Sequence, residues 1–200
     1  MNQIIFIRWW EAFYNDEQFY NFLEKTEYNP YKKKKSWRDW IAWALSENFE
    51  VIEPVMPNKA NAKYKAWKIW FEKIFPYLNN EKTILVWSSL GWSFLIKYLS
   101  ENEFPKEIAE LHLVAPVLND EWLVDEYICD FAPEENKIAN IEKKSKKVFL
   151  YFSEDDPVLP FKQYFKYKEL LKKSKFFIFQ DRGHFSQPAF PELLENIDKS

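Results

Sequence analysis

Short apolar runs alternate along the chain with longer segments in which apolar residues recur at helical spacing. The short runs are rich in β-branched and aromatic residues, and they predict strands at 4–7, 49–52, 83–86, 109–115, 147–152 and 176–179. The longer segments predict helices at 16–25, 37–46, 63–75, 90–100, 161–172 and 191–197. Because parallel strands need crossover connections and helices supply them, this alternation predicts a three-layer α/β/α sandwich around a mostly parallel sheet of about six strands.

The sequence contains no internal repeat and no linker long enough to divide it, so we expect a single domain over residues 1–200. Residues 119–145 are more acidic and irregular, which predicts a small excursion over the edge of the sheet. Hydrophobic residues make up 47% and charged residues 30% of the chain, which are the proportions of an ordinary globular protein.

Charge, hydropathy and cysteine content exclude several classes of protein. The formal net charge of −3 gives no reason to expect nucleic acid as a partner. No window approaches about 18 consecutive apolar residues, and Arg8 interrupts the apolar start, so neither a membrane span nor a secretory signal is predicted and a cytoplasmic location is expected. The single cysteine, Cys129, excludes an internal disulfide and a cysteine-ligated zinc site, and no metal or organic cofactor is indicated.

In an open parallel sheet the ligand site lies at the carboxyl ends of the strands, and three of these ends hold the residue types of a nucleophilic hydrolase. Ser89 follows the third predicted strand in Trp87-Ser88-Ser89-Leu90-Gly91, which matches the G-x-S-x-G nucleophile elbow except at its first glycine. Such a turn exposes the serine oxygen and directs the next backbone N–H, that of Leu90, toward a developing oxyanion. A serine at a helix N-terminus is also a common capping residue, so this motif alone does not establish catalysis.

An aspartate and a histidine follow the last two predicted strands. Asp156 precedes a proline in a rigid loop that suits an aspartate orienting a histidine, although an Asp-Pro pair is also a common turn. His184 follows the sixth predicted strand, and a neutral imidazole is the natural base for a serine proton near neutral pH. The other histidine, His112, lies inside an apolar strand and is interpreted as structural. The chain order Ser, Asp, His occurs in α/β-hydrolases, and the three signals together predict a catalytic triad of Ser89, Asp156 and His184.

Motifs spread over nearly the whole chain point to a known family. They are IIFIRWWEAF, FEVIEPVMPNKANAKYKAWKIWFEKIFPYL, ILVWSSLGW, LHLVAPVL, FLYFSEDDPVLPF and DRGHFSQPAFPELLENI. With these motifs the chain resembles the small α/β-hydrolase family that includes retinoblastoma-binding protein nine and the YdeN-type bacterial serine hydrolases. The resemblance implies an abbreviated α/β-hydrolase fold without a large lid, a triad at Ser89, Asp156 and His184, and an oxyanion hole formed by the N–H groups of Leu90 and Trp10. It also implies hydrolysis of a carboxylic ester or a related acyl compound.

Four tryptophans stand where this family usually has glycine. After the first strand the relatives usually have His-Gly-Gly, whereas this chain has Arg8-Trp9-Trp10, and Trp87 and Trp92 replace the outer glycines of the elbow. The whole chain contains 2 glycines and 10 tryptophans, although about 14 glycines are expected at average usage. UGA is translated as tryptophan in one variant genetic code and as glycine in another. We therefore hypothesise that UGA glycine codons were translated as tryptophan.

The sequence predicts a serine hydrolase that acts on a small-molecule acyl substrate through an acyl-enzyme. Two alternatives stay open. If Trp9, Trp10, Trp87 and Trp92 are genuine, they would distort the oxyanion loop and the elbow, and a catalytically weak or inactive relative serving as a protein-interaction module is the first alternative. A peptidase or a thioesterase that uses the same triad is the second.

Overall fold

The computed structural model describes residues 1–7, 13, 15–31, 36–58, 62–88, 91–119 and 129–197. The strands in these residues are β1 (Asn2–Ile7), β2 (Phe49–Ile52), β3 (Thr83–Ser88), β4 (Ile108–Val114), β5 (Ser145–Ser153) and β6 (Lys175–Phe179). The α-helices are α1 (Asp16–Lys25), α2 (Trp37–Leu45), α3 (Tyr64–Glu72), α4 (Gly91–Glu101), α5 (Ile141–Lys144), α6 (Lys162–Leu170) and α7 (Pro191–Asn196). Short 3₁₀ helices cover Phe75–Tyr77, Cys129–Phe131 and Glu135–Asn140. Every predicted strand and helix is present, with ends that differ from the predictions by a few residues.

The strands form a parallel sheet in the order β2-β1-β3-β4-β5-β6. Ile5 lies beside Leu85, Leu85 beside Leu111, and Leu111 beside Val148, so the central strands are paired along their apolar segments. Most residues of these strands are buried on both faces of the sheet, which explains their nearly uninterrupted hydrophobic sequences. The predicted three-layer sandwich around a six-stranded parallel sheet is confirmed.

Helices cover both faces of the sheet, as two successive side chains of β5 demonstrate. Tyr151 packs edge-on against Phe190 at the start of α7, and Phe190 also contacts Trp37 at the start of α2. The next residue, Phe152, points to the opposite face and packs against Tyr164 of α6. The helices α2 and α7 therefore lie on one face, and α6 lies on the other. None of the described helices is long and apolar enough to cross a membrane.

An aromatic cluster joins α3, α4 and the 3₁₀ helix at Cys129–Phe131. Phe94 of α4 contacts Trp67 and Phe71 of α3, and Phe131 contacts both Phe94 and Trp67, with ring centroids 5.1 to 5.8 Å apart. Phe131 is fully buried, and burial of such a ring contributes about 1.5–3 kcal/mol. Because this ring completes the cluster, the 3₁₀ helix at Cys129–Phe131 packs onto α3 and α4.

Candidate active site

The carboxyl ends of the strands gather the predicted site residues at one edge of the sheet. β3 ends at Ser88, β5 ends at Ser153 and β6 ends at Phe179, and all strands of the sheet run in the same direction. The predicted serine, aspartate and histidine follow these three ends in turn. The topology therefore brings their segments to the edge at which open parallel sheets bind ligands.

The structure brings Asp156 and His184 into direct contact. Nδ1 of His184 lies 2.9 Å from Oδ2 and 3.1 Å from Oδ1 of Asp156. Oδ1 also accepts hydrogen bonds from the backbone N–H groups of Val158 and Leu159, each at 2.9 Å. The Asp156 side chain is 1% exposed and the His184 side chain is 19% exposed. Because a carboxylate only accepts hydrogen bonds, Nδ1 of His184 donates, which leaves Nε2 as the basic nitrogen of the neutral ring.

The neighbouring carboxylate, Asp155, holds the backbone of the histidine loop, which we define as residues 180–190. Oδ1 of Asp155 accepts from the Ser153 hydroxyl at 2.5 Å and from the N–H of Gly183 at 2.8 Å. These hydrogen bonds lower the pKa of Asp155 below its usual value, because they favour the charged form. Ser153 Oγ also accepts from the N–H of Arg182 at 3.0 Å. No local pattern in the sequence indicates this anchoring role, since it depends on the return of the histidine loop to the end of β5.

The two residues that flank His184 have left-handed backbone conformations. Gly183 has φ +49°, and a Cβ built there would meet nothing within 4 Å. Phe185 has φ 49°, which costs a residue with a Cβ about 1–2 kcal/mol. The carbonyl of Phe185 accepts a hydrogen bond from Nε1 of Trp37 at 2.8 Å, and the ring of Phe185 packs against Phe190. These contacts hold the strained residue beside His184 in place.

The predicted nucleophile, Ser89, lies outside the described residues, as do the predicted oxyanion donors Leu90 and Trp10. β3 ends at Ser88 and α4 begins at Gly91, so a strand precedes and a helix follows the two residues at 89–90. This is the strand-to-helix order that the nucleophile elbow requires. The roles of these three residues stay predictions.

Among the four tryptophans assigned to glycine positions, the structure describes the side chain of Trp87. It is buried, and its indole N–H has no acceptor among the described residues. The equally buried Trp37 and Trp67 each donate to a backbone carbonyl at 2.8 Å, those of Phe185 and Pro57 respectively. A buried N–H without an acceptor costs about 1–3 kcal/mol. Among the described residues, Trp87 thus differs from Trp37 and Trp67 in that its indole N–H has no acceptor.

A small cleft lies beside the end of β3, between β1, β3 and the start of α2. It has an empty volume of about 190 Å³ and is lined by Phe6, Ile7, Trp37, Arg38, Val86, Trp87 and Ser88. Its walls are largely hydrophobic, and Nε of Arg38 donates to Oγ of Ser88. No pattern in the sequence marks Trp37 or Arg38 as a site residue. The sequence predicts that a helix begins at residue 37, but it does not indicate that the start of this helix lies beside the end of β3.

The second histidine, His112, belongs to a buried network inside the sheet. Its Nδ1 lies 2.9 Å from the hydroxyl oxygen of Tyr151, and its Nε2 lies 3.2 Å from Oε2 of Glu110. Glu110 also pairs with Lys147 at 3.0 Å, and Phe149 stacks on the imidazole at 4.5 Å. Burial lowers the pKa of His112 below its usual value, because it penalises the charged form. The structure thus places His112 within the sheet, whereas His184 lies in the loop after β6.

We expect the burial of His112 to make the folded protein less stable in weak acid. As the pH falls through about 6.5, the exposed histidine of the unfolded chain gains a proton that buried His112 resists. The free energy of unfolding should then fall by up to about 1.4 kcal/mol per pH unit. Denaturant unfolding between about pH 5 and pH 8 measures this loss. This decrease in the free energy of unfolding should disappear in His112→Gln and persist in the control His184→Gln. If the free energy of unfolding of His112→Gln still falls with pH as steeply as before, His112 is not its cause.

The chain is similar in sequence and in fold to known hydrolases. The Serine hydrolase RBBP9 of Rattus norvegicus is 26% identical over 159 residues, which cover 74% of this chain and 76% of that protein. The crystal structure of the ydeN gene product from B. subtilis matches with a TM-score of 0.71 at 17% identity, over 98% of this chain and 96% of that one. The meta-cleavage product hydrolase CumD from Pseudomonas fluorescens IP01 matches with a TM-score of 0.62 at 13% identity, over 92% of this chain and 85% of that one. No protein-family model matches the chain.

These similarities agree with the family that the sequence motifs indicated. The RBBP9 and YdeN matches confirm the predicted resemblance. The structural matches confirm an α/β-hydrolase fold. The sequence relative is named as a serine hydrolase and CumD as a meta-cleavage product hydrolase.

Proposed function

We propose that this chain, a member of the small α/β-hydrolase family, cleaves a carboxylic ester or a related acyl compound through an acyl-enzyme on Ser89. The observation that supports this most directly is the 2.9 Å contact between Nδ1 of His184 and the buried carboxylate of Asp156. A carboxylate at this place orients the imidazole and stabilises the imidazolium that forms when the histidine takes a proton. The order of the three residues along the chain is that of other α/β-hydrolases.

In the proposed reaction, Oγ of Ser89 attacks the carbonyl carbon while Nε2 of His184 takes the hydroxyl proton. The N–H groups of Leu90 and Trp10 donate to the oxyanion of the tetrahedral intermediate. When this intermediate collapses, the bond to the leaving group breaks and His184 gives the proton to the departing oxygen. Water then attacks the acyl-enzyme and gives a proton to His184, which returns it to Ser89 as the acid is released.

Hydrophobic side chains next to the end of β3 favour a compact, apolar acyl group. Phe6, Ile7 and Val86 supply hydrophobic walls next to the end of β3. Short-chain esters are therefore the first substrates to examine.

We also propose that residues 9, 10, 87 and 92 are glycines in the native protein. All four coincide with glycine positions of two family motifs, and the chain has 2 glycines in 200 residues. Glycine would allow the close backbone approach and strained turn on which the oxyanion hole and the elbow depend.

A fluorophosphonate probe, which phosphonylates an activated serine, tests the proposed function. We expect the folded chain with glycine at the four positions to be labelled, and we expect Ser89→Ala to abolish the label. The control Ser46→Ala removes an exposed hydroxyl at the end of α2 and should still be labelled. Folded protein that takes no label would contradict the proposal and favour an interaction module, and a label that persists in Ser89→Ala would place the nucleophile elsewhere.

For a chain that is labelled, a panel of p-nitrophenyl esters of graded chain length, a thioester and a peptide separates the possible substrates. We expect the highest kcat/KM for the short esters. A preference for the peptide or the thioester would replace the ester by that alternative while leaving the triad in place.

A further inference from the structure

Two adjacent residues at the start of α2 contact two segments of the candidate active site, the histidine loop and the end of β3. Trp37 contacts the histidine loop, and Arg38 contacts the end of β3 directly before Ser89. Neither residue belongs to the proposed triad or to the oxyanion hole. Their contacts join two segments that are far apart in sequence and must be held at a fixed distance for a proton to pass between Ser89 and His184.

Trp37 holds the histidine loop through its backbone, its indole N–H and its ring. The backbone N–H donates to the carbonyl of Gln187 at 3.2 Å, and Nε1 donates to the carbonyl of Phe185 at 2.8 Å. The ring packs edge-on against Phe190, with centroids 5.5 Å apart. Since Phe185 is the strained residue next to His184, the indole N–H secures the backbone that positions the imidazole.

Arg38 holds the other side of the site. Its Nε donates to Oγ of Ser88, a buried residue at the end of β3. Its guanidinium lies over the ring of Trp37, with Cζ 5.0 Å from the ring centroid. The hydroxyl of Ser36 caps the helix and accepts from the N–H of Arg38 at 3.2 Å, which fixes the first turn of α2 beside the cleft.

We propose that Trp37 and Arg38 are positioning residues that set the distance between Ser89 and His184. This inference rests on the proposed serine-hydrolase function. Arg38 fixes the residue before the nucleophile, Trp37 fixes the residue after the base, and the stacked guanidinium links the two. Displacement of one reacting group by about 1 Å can lower the rate of the chemical step by about 10²-fold.

The expected signature is a loss in kcat with KM unchanged, because the hydrogen bonds that these substitutions remove set the geometry of the reacting groups. Trp37→Phe keeps a buried aromatic ring but removes the donor to Phe185, and we expect kcat to fall by about 10-fold to 10²-fold. Arg38→Met removes the donor to Ser88 and should cause a similar loss. Arg38→Lys restores a donor on a flexible stem and should recover part of the activity.

The test uses the full chain in the form that the fluorophosphonate probe labels. For each variant we would measure kcat and KM on a short p-nitrophenyl ester, the rate of labelling, and the melting temperature. The matched control is Trp43→Phe, the same substitution on the same helix at a side chain that is 73% exposed, and it should change none of these values. The double variant Ser88→Ala with Arg38→Met should lose no more activity than either single variant, since both substitutions remove one hydrogen bond.

The outcomes separate this inference from the proposed function. Parallel losses of kcat and labelling rate, with KM unchanged and the protein folded, support the positioning role. If the parent is labelled and Trp37→Phe and Arg38→Met lower only the melting temperature, the two residues are merely structural and the inference is wrong. If Trp37→Phe does not fold, Arg38→Met and Ser88→Ala decide the question by the same measurements. An unlabelled parent overturns the proposed function and this inference with it.

Discussion

Replacement of Asp156 by asparagine should lower kcat by about 10⁴-fold, the size of loss that this change causes when the aspartate of a serine-hydrolase triad is replaced. The carboxylate of Asp156 accepts from Nδ1 of His184, and both of its oxygens lie within 3.1 Å of that nitrogen. An asparagine amide can instead donate to Nδ1, which would place the imidazole proton on Nε2. The histidine could then no longer take the proton of Ser89, so the rate of the chemical step should fall while the fold is kept.

The neighbouring aspartate provides a matched control. Asp155→Asn makes the same chemical change one residue away, at a side chain that bonds to Ser153 and Gly183 rather than to the imidazole. It should cost much less activity than Asp156→Asn, because Nδ1 of His184 keeps its acceptor. Steady-state kinetics on a short p-nitrophenyl ester, together with a melting curve for each variant, provide the comparison. Equal losses in the two variants would show that the Asp156–His184 contact has no special part in catalysis.

Glycine at positions 9, 10, 87 and 92 should raise the labelling rate and kcat by about 10²–10³-fold over the chain with tryptophans, the range expected when one oxyanion donor is gained or lost. The two motifs concerned contain the proposed oxyanion donors, and a tryptophan ring would crowd backbone that must approach the substrate closely. Both forms can be made from synthetic genes and compared with the same probe and ester. Equal rates would show that the tryptophans do not impair the site.

The stability of the folded protein provides an independent test of whether residue 87 is natively glycine. Replacement of a genuine buried tryptophan by a small residue usually costs about 3–5 kcal/mol, and Trp87 packs against Phe94 with ring centroids 5.6 Å apart. If Trp87 is instead a translated glycine codon, the glycine form is the native protein and should be at least as stable as the tryptophan form. The matched control is Trp67→Gly, because the N–H of Trp67 has an acceptor and its removal should be strongly destabilising. TGG codons at the four positions would overturn the hypothesis.

The order of elements could be predicted because it is written in local patterns. A strand that is covered on both faces, such as β3, must be apolar along its whole length, and such a run is visible without a structure. The helix α2 begins at Trp37, directly after the capping residue Ser36, at the position that the sequence predicted. The packing of Phe131 against Trp67 could not be predicted, because these residues lie far apart in the chain and no periodicity connects them.

The candidate site was only partly visible in the sequence. Ser89, Asp156 and His184 could be proposed because each follows a predicted strand end and their order matches a known arrangement. The sequence favoured Asp156 over Asp155 by the proline that follows it. Only the structure separates the two carboxylates, since Asp156 contacts the imidazole and Asp155 bonds to Gly183.

The sequence by itself determined the alternation of strands and helices, the resemblance to the small α/β-hydrolases, and the four tryptophans at glycine positions. The tertiary structure alone decided that the start of α2 joins the histidine loop to the end of β3, through Trp37 to Phe185 and Arg38 to Ser88. It also decided that the indole N–H of Trp87 has no acceptor among the described residues. The reason is physical: secondary structure depends on neighbours a few residues away, whereas these hydrogen bonds depend on where distant parts of the chain meet after the sheet has formed.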